Sequence, residues 1–167
     1  MITKDNLLDW LKEVDRRLER RLMLIAVGGT AMTLLGLKPS TVDVDFCLSS
    51  DDAIVFERLT KGSRFKVDIF KDGFIFSEQL PEDYADKSAE VKTGLKWIDL
   101  RTLSLYDIII TKAARYNERD EEDIKAIAQL GKVDRKELIE RFKKVVGTYA
   151  GRKDDYSYNF KIALRHF

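Results

Sequence analysis

The sequence predicts an α+β fold in which a small mixed sheet is flanked by helices and is followed by a C-terminal helical segment. Two observations predict this order. Short apolar runs bounded by glycine or polar turns fill residues 1–102, as expected of strands interleaved with helices. From Ser104 onward, apolar residues recur at helical spacing, with N-cap candidates at Ser104 and Asp134. We therefore expect a core at 1–102 and a helical segment at 103–167 that packs on it.

The first elements are predicted from residue spacing and stop signals. Apolar residues at helical spacing predict an amphipathic helix over 3–21 whose apolar stripe covers a sheet. A short apolar run predicts a strand over 23–27. A helix over 30–37 follows at once, and Gly36 and Pro39 end it.

The remaining core elements follow from alternation and turn residues. Apolar and polar residues alternate over 42–48 and again over 65–70, which predicts two strands separated by a helix that Ser49 and its polar neighbours cap. The next elements are a turn at 71–73, a return strand at 74–76, a polar loop or short helix at 81–95 and a strand at 96–100.

The C-terminal segment is predicted to hold three helices and a final short one. Ser104 with Asp107 three residues later has the pattern of a capping box, so the first of these helices starts there. A break is expected at Asn117, and a second helix starts at the acids that begin with Asp120. Asp134 caps the third helix, and the tail is expected to return as a short helix.

The composition is that of a soluble globular chain. With 167 residues, 44% hydrophobic and 35% charged, the length suits one domain with a core and argues against disorder. Thirty Lys and Arg residues against 29 Asp and Glu residues leave a net charge of +1, so no global basic field indicates a nucleic-acid partner. The sequence has no apolar run of membrane-spanning length and no signal-peptide pattern, so we expect no membrane partner and a cytoplasmic location.

The single cysteine and the single histidine exclude several kinds of site. Cys47 alone forms neither an internal disulfide nor a cysteine-rich zinc site, and we expect a small buried thiol there. His166, the penultimate residue, has no second histidine with which to build a zinc site or a catalytic dyad. A metal-dependent phosphohydrolase would need histidines that this chain lacks.

A glycine pair and two alternating acids carry most of the functional information. Gly28-Gly29 follows the strand at 23–27 and opens a helix, so the backbone can approach a ligand closely and offer N–H groups to an anion. Asp43 and Asp45 are predicted to project from one face of the next strand. Two carboxylates beside a phosphate-binding turn are what a Mg²⁺–nucleotide site requires. The alternative is a structural turn followed by an edge strand with solvated acids.

Asp68 is a third acid, alone in an otherwise apolar strand. Strand parity places it on the same face as Lys66 and Phe70. Aspartate is disfavoured in strands, so its presence indicates a role beyond strand formation. The alternative is an edge-strand acid paired with Lys66 or Lys71.

These motifs together resemble the signature of the DNA polymerase β-like nucleotidyltransferase superfamily, in which Gly-Gly precedes Asp-x-Asp between apolar neighbours. In that superfamily a third carboxylate lies on the strand beside the Asp-x-Asp strand, which is where Asp68 falls. The resemblance implies a nucleotidyltransferase core at 1–102 with two Mg²⁺ ions and an NTP donor. The catalytic, metal-binding acids would be Asp43, Asp45 and Asp68. The residues that hold the phosphates, through backbone N–H groups and one hydroxyl, would be Gly28, Gly29 and Thr30.

The helical segment carries a second resemblance. Asp107, Lys112 and Arg115, followed by Arg-Asp-x-x-Asp at 119–123, look like the helical motif of small stand-alone nucleotidyltransferases related to abortive-infection and toxin–antitoxin toxins. The resemblance implies that Lys112 is catalytic and neutralises the bound triphosphate with help from Arg115. The alternatives are that both lie on a solvated helix face and that Asp107 and Asp120 only cap helices.

Together the resemblances imply a Mg²⁺-dependent, two-metal enzyme that moves a nucleoside monophosphate from an NTP such as ATP to a hydroxyl. The acceptor is left open between an RNA end such as tRNA, a protein and a small molecule, and a cognate partner protein is possible. The alternative is a non-catalytic nucleotide-binding or antitoxin-like interaction module on the same fold. The complete set of acids favours catalysis, because clustered carboxylates are costly without cations.

Overall fold

The computed structural model describes all 167 residues, and they divide into two compact units. Unit 1 comprises Met1–Asp72 and Ser88–Leu103, and unit 2 comprises Gly73–Lys87 and Ser104–Phe167. The sequence-based division had placed the segment Gly73–Lys87 in the core, whereas in the structure it groups with the C-terminal helices.

The elements confirm the predicted α+β class. The strands are β1 (Ile2–Thr3), β2 (Leu22–Ala26), β3 (Ser40–Thr41), β4 (Val44–Leu48), β5 (Val67–Lys71), β6 (Phe74–Ile75), β7 (Glu78–Gln79), β8 (Ala89–Glu90) and β9 (Ile98–Thr102). The helices are α1 (Lys4–Asp15), α2 (Gly28–Leu34), α3 (Ser50–Thr60), α4 (Tyr84–Lys87), α5 (Leu105–Arg115), α6 (Glu118–Ala128), α7 (Arg135–Val146) and α8 (Lys153–Ala163), with a 3₁₀ turn at Leu164–His166. None of these helices is long and apolar enough to span a membrane.

The sheet of unit 1 has the strand order β5-β4-β2-β9-β8. β4 runs antiparallel to β2 but parallel to β5, and Ala26 of β2 pairs with Phe46 of β4. Since β4 begins where the antiparallel β2 ends, and β5 runs the same way as β4, the end of β2 and the beginnings of β4 and β5 share one edge of the sheet. The candidate site lies at this edge.

The core of unit 1 explains why β2 and β4 are almost continuously apolar. Both strands lie inside the sheet, and Leu24, Ile25 and Phe46 are buried. Phe46 meets Phe56 of α3 edge to face, with ring centroids 5.8 Å apart, and Trp10 of α1 meets Phe56 in the same way at 6.2 Å. Each such aromatic pair adds about 0.5–1.5 kcal/mol beyond the area that it buries.

The first helix ends at Asp15 and is shorter than the predicted 3–21. The Asp15 side chain binds the start of β9. The Asp15 carboxylate accepts the backbone N–H groups of Lys96, Trp97 and Ile98 at 3.0, 2.8 and 2.9 Å. It therefore fixes the start of β9 against the end of α1. Nothing in the local sequence pattern indicates this contact, since its partners lie far along the chain.

Unit 2 combines the hairpin of β6 and β7 with helices α4 to α8. Its aromatic core centres on Tyr156, which is fully buried and donates its hydroxyl to the carbonyl of Ile110 at 2.8 Å. Phe142 of α7 stacks on Phe160 of α8 with centroids 3.8 Å apart. These contacts join α5, α7 and α8 around one apolar centre.

Glu78 of β7 is a fully buried carboxyl in unit 2. One of its oxygens accepts the N–H of Ser77 at 3.0 Å, and the other has no hydrogen-bond partner. Burial raises the pKa of Glu78 from its ordinary 4.5 to about 7, with the Ser77 bond opposing the shift. The folded state therefore binds the Glu78 proton more tightly than the unfolded chain does.

We predict that Glu78 makes the protein less stable as the pH rises from about 4.5 to about 7. The protonated carboxyl stabilises the folded state fully below the unfolded pKa, and this contribution, up to roughly 3 kcal/mol, is lost as the pH passes through the folded pKa. Urea denaturation of wild type and Glu78→Gln across this range measures it. The substitution should flatten the pH dependence, whereas the exposed Glu82→Gln should leave it unchanged. An unaltered slope in Glu78→Gln would contradict the assignment.

Candidate active site

Three carboxylates gather at the shared edge of the unit 1 sheet, and we call Asp43, Asp45 and Asp68 the acid cluster. Asp45 of β4 and Asp68 of β5 are register partners on neighbouring parallel strands, so their side chains leave the same face. Asp43 immediately precedes β4, which begins at Val44 and not at the predicted residue 42. The resemblance implied that Asp68 lies on the strand beside the Asp-x-Asp strand, and in the structure β5 pairs with β4.

The ammonium of Lys66 lies among these acids. Its Nζ is 3.1 Å from Oδ2 of Asp68 and 3.8 Å from Oδ2 of Asp43. The hydrogen bond to Asp68 raises the pKa of Lys66, and the charges of Asp68, Asp43 and Asp45 add to the shift. Asp68 is therefore paired with Lys66, as the alternative supposed.

The acid cluster is open to solvent. The side chains of Asp43 and Asp68 are 40% and 41% exposed, and that of Lys66 is 67% exposed. An incoming solute can therefore reach the carboxylates without any rearrangement of the backbone.

The turn between β2 and α2 lies at the same edge of the sheet. Gly28 has a φ of 53°, a left-handed conformation that glycine adopts at little cost. The helical hydrogen bonds begin with the N–H of Ala31, which donates to the carbonyl of Val27 at 3.1 Å. The N–H groups of Gly28, Gly29 and Thr30 precede that first bond and are not used by the helix.

The hydroxyl of Thr30 holds the acid-bearing segment in place. It accepts the backbone N–H of Asp45 at 2.9 Å and donates to the carbonyl of Asp43 at 3.2 Å, and Thr30 is fully buried. Thr41 donates to the same Asp43 carbonyl at 3.0 Å. Sequence reasoning assigned the Thr30 hydroxyl to a phosphate and missed this positioning role, because the two hydrogen bonds depend on how α2 meets β4.

The acids match a divalent metal in chemistry but do not form a preformed metal site. Carboxylate oxygens are the ligands that Mg²⁺ prefers, and Asp43 and Asp68 already share one positive charge. In the structure, however, no three Asp, Glu, Cys or His side chains lie in an arrangement that holds a metal ion. A metal ion would require the carboxylates to move closer together and Lys66 to leave.

Comparison with known families decides the class of protein. Residues 5–167 match the model of a family described as nucleotidyltransferase of unknown function, DUF6036. The chain belongs to this family. It is accordingly a nucleotidyltransferase in the general sense, a class of enzyme that takes nucleoside triphosphates as donors.

One solved structure gives a weaker likeness. The crystal structure of a "putative nucleotidyltransferase" from Thermotoga maritima is 16% identical, covers 86% of this chain and 96% of that chain, and superposes with a TM-score of 0.46. At that identity and score, the likeness carries no information about the activity of this chain. A search of curated proteins finds no match to this chain.

In this nucleotidyltransferase, the predicted triphosphate-binding residue Lys112 lies in unit 2, buried within an ion cluster. Its Nζ is 2.6 Å from Asp123 and 3.5 Å from Asp120, and its side chain is only 8% exposed. Arg115 donates Nε and Nη2 to the two oxygens of Asp120, both at 2.8 Å. Burial acts to raise the pKa of Asp120, but the Arg115 bonds and the charge of Lys112 outweigh it and hold that pKa below its usual value. Lys112 therefore does not lie on a solvated face, as the alternative supposed.

The two predicted capping acids of unit 2 differ in what they do. Asp120 and Asn117 form a reciprocal capping box at the start of α6. At the start of α5, Ser104 accepts the N–H of Asp107, but the Asp107 carboxylate turns to Arg141, whose Nε and Nη2 donate to it at 2.8 and 2.9 Å. Only half of the predicted box therefore forms there, and the role of Arg141 has no signal in the local sequence.

We predict that Gly29→Ala destabilises the protein through the acid-bearing segment. A Cβ at this position would lie 2.8 Å from Oγ1 of Thr41, so the Thr41 hydroxyl would have to shift. That shift would weaken the hydrogen bond from Thr41 to the Asp43 carbonyl. The expected loss is about 1–3 kcal/mol of unfolding free energy, measured by chemical denaturation. Gly94→Ala is the control, because a Cβ there meets nothing within 4 Å. Equal stability of the two variants would contradict the predicted clash.

We predict that Lys112→Met destabilises the protein by about 3–5 kcal/mol, because it leaves the buried Asp120 and Asp123 short of a counter-charge. The matched control is Lys125→Met on α6, whose solvent-exposed pair with Glu121 at 3.1 Å should contribute less than about 1 kcal/mol. Both are read by urea denaturation at neutral pH. If the two variants unfold at the same urea concentration, the buried ion cluster is not a stabilising element.

Proposed function

We propose that this protein is a Mg²⁺-dependent nucleotidyltransferase of the DNA polymerase β-like kind, which moves a nucleoside monophosphate from an NTP to a hydroxyl. The observation that supports it most directly is the acid cluster, in which Asp45 and Asp68 are register partners and the Lys66 ammonium lies 3.1 Å from Asp68 and 3.8 Å from Asp43. The glycine turn at the same edge of the sheet supplies N–H groups that the helix does not use.

The metal part of the proposal rests on the donor set. When bound to the acid cluster, Mg²⁺ would supply charge stabilisation at the α-phosphate and at the departing pyrophosphate. The ligands are proposed to be Asp43, Asp45 and Asp68, with two ions in all. Exposed oxygens of Asp43 and Asp68 that already hold a cation support this assignment.

The chain's own residues bind, orient and accept a proton. The backbone N–H groups of Gly28, Gly29 and Thr30 are proposed to hold the β- and γ-phosphates. The acceptor oxygen attacks the α-phosphorus, the bond to the bridging oxygen breaks, and pyrophosphate leaves with that electron pair. The hydroxyl proton passes to Asp68, whose 41% exposed carboxylate an acceptor can reach.

That Lys112, helped by Arg115, neutralises the triphosphate stays a proposal. Both are charge-paired with acids of α6; the Lys112 side chain is 8% exposed and that of Arg115 is 68% exposed. Their second proposed contribution is to keep unit 2 folded through a neutral ion cluster.

The acceptor defines the biological role. A hydroxyl at an RNA end such as tRNA, on a protein or on a small molecule fits the proposed chemistry equally, and the proposed place of action is the cytoplasm. The helical motif supports a relation to toxin–antitoxin nucleotidyltransferases, in which case a cognate partner protein accompanies the chain.

One observation favours a second candidate, a non-catalytic nucleotide-binding or antitoxin-like module. Lys66 neutralises part of the acid cluster without any metal, which a structural role for the acids also explains. The two candidates differ in whether label from an NTP becomes covalently attached to an acceptor.

We predict that the purified protein transfers label from an α-labelled NTP to RNA, protein or a small molecule of a lysate in the presence of Mg²⁺. Asp43→Asn, Asp45→Asn and Asp68→Asn should each reduce transfer by roughly 100-fold or more, because charge at the phosphates would go unbalanced. Asp51→Asn, an exposed acid in the first turn of α3, should transfer as wild type does.

Circular dichroism and thermal unfolding of each variant separate loss of chemistry from loss of fold. Folded variants that label as fast as wild type would show that the acid cluster is not the catalytic site. Wild-type protein that binds the nucleotide but never transfers label would favour the non-catalytic module.

A further inference from the structure

The backbone of Lys66 is held by a hydrogen bond, while its side chain is 67% exposed. The carbonyl of Lys66 accepts the N–H of Val44 at 2.9 Å, which aligns the start of β5 with the start of β4. The ammonium at the end of this side chain lies beside the carboxylates of Asp68 and Asp43. A flexible four-carbon stem attaches that ammonium, so it can leave the acids without disturbing the strand.

Lys66 and a divalent cation would use the same carboxylate oxygens. The ammonium lies 3.1 and 3.8 Å from Oδ2 of Asp68 and Oδ2 of Asp43. A Mg²⁺ ion bound to these same oxygens at about 2.0–2.1 Å would lie close to the ammonium, and the two positive charges would repel each other. Ion pairs as exposed as this one are weak, and a doubly charged ion gains more from each carboxylate than an ammonium does.

Resting on the proposed metal site, we propose that Lys66 is an internal competing cation, which balances the acid cluster in the metal-free protein and is displaced when a divalent cation binds. Competition lowers the affinity of the protein alone for the metal.

The test is Mn²⁺ binding to the full chain without nucleotide, measured by titration calorimetry and by the electron paramagnetic resonance signal of free Mn²⁺. Lys66→Met removes the charge and keeps the length of the side chain, so it should bind Mn²⁺ about five-fold or more tightly than wild type. Lys66→Arg keeps the charge and should stay within about two-fold of wild type. Lys71→Met, an exposed lysine at the end of β5, should also stay within about two-fold.

Thermal unfolding provides a second readout that is independent of activity. Without divalent ions, Lys66→Met should melt below wild type, because Asp68 and Asp43 lose the ammonium that lies 3.1 and 3.8 Å from them. Added Mn²⁺ should then raise its melting temperature more than it raises that of wild type.

The outcomes separate this inference from the proposed function. Equal or weaker Mn²⁺ binding by Lys66→Met, together with loss of binding in Asp68→Asn, would overturn the role of Lys66 and leave the metal site standing. An absence of Mn²⁺ binding in every variant, with or without an NTP, would overturn the metal site and this inference with it.

Discussion

The buried hydroxyl of Thr30 is the contact on which the acid cluster depends. By accepting the N–H of Asp45 at 2.9 Å and donating to the carbonyl of Asp43 at 3.2 Å, it fastens the first turn of α2 to the start of β4. Thr41 adds a second bond to the same Asp43 carbonyl, and register pairing with β5 then sets Asp68 beside Asp45. Buried hydroxyls thus fix the backbone that carries Asp43 and Asp45, while the side chains of Asp43 and Asp68 remain partly exposed to solvent. Such a division suits a site that must be placed accurately and still admit a charged ligand.

The sequence was sufficient for the parts of the site that follow from strict local geometry. The resemblance implied that Asp68 lies on the strand beside that of Asp45, and the two acids are register partners on β4 and β5. The glycine pair indicated a close-approach turn, and its first residue has a left-handed backbone. The α+β class followed from the same patterns. The contacts of Thr30 and the three N–H bonds of Asp15 could not be predicted from the sequence, because their partners are set by tertiary packing.

The partners of charged residues on helices were also not predictable from the sequence. Helical spacing places Lys112 on α5, but spacing alone does not say whether an ammonium faces water or the acids of the next helix. In the structure it faces Asp123 at 2.6 Å, and Arg141 reaches back to Asp107 at 2.8 Å. Buried ion pairs such as these contribute little net stability compared with apolar packing, but removal of one partner is costly. In unit 2 these ion pairs join α5 to α6 and α5 to α7. This explains why charged residues occupy buried positions there.

We propose that three carboxylates at one edge of the sheet hold divalent cations once Lys66 has moved aside. A crystal structure of the protein with Mn²⁺ and a non-hydrolysable NTP, with anomalous scattering recorded for manganese, tests it most directly. We predict manganese peaks bounded by Asp43, Asp45 and Asp68, with the Lys66 ammonium withdrawn from Asp68. Manganese absent from these acids, with Lys66 still bonded to Asp68, would contradict it.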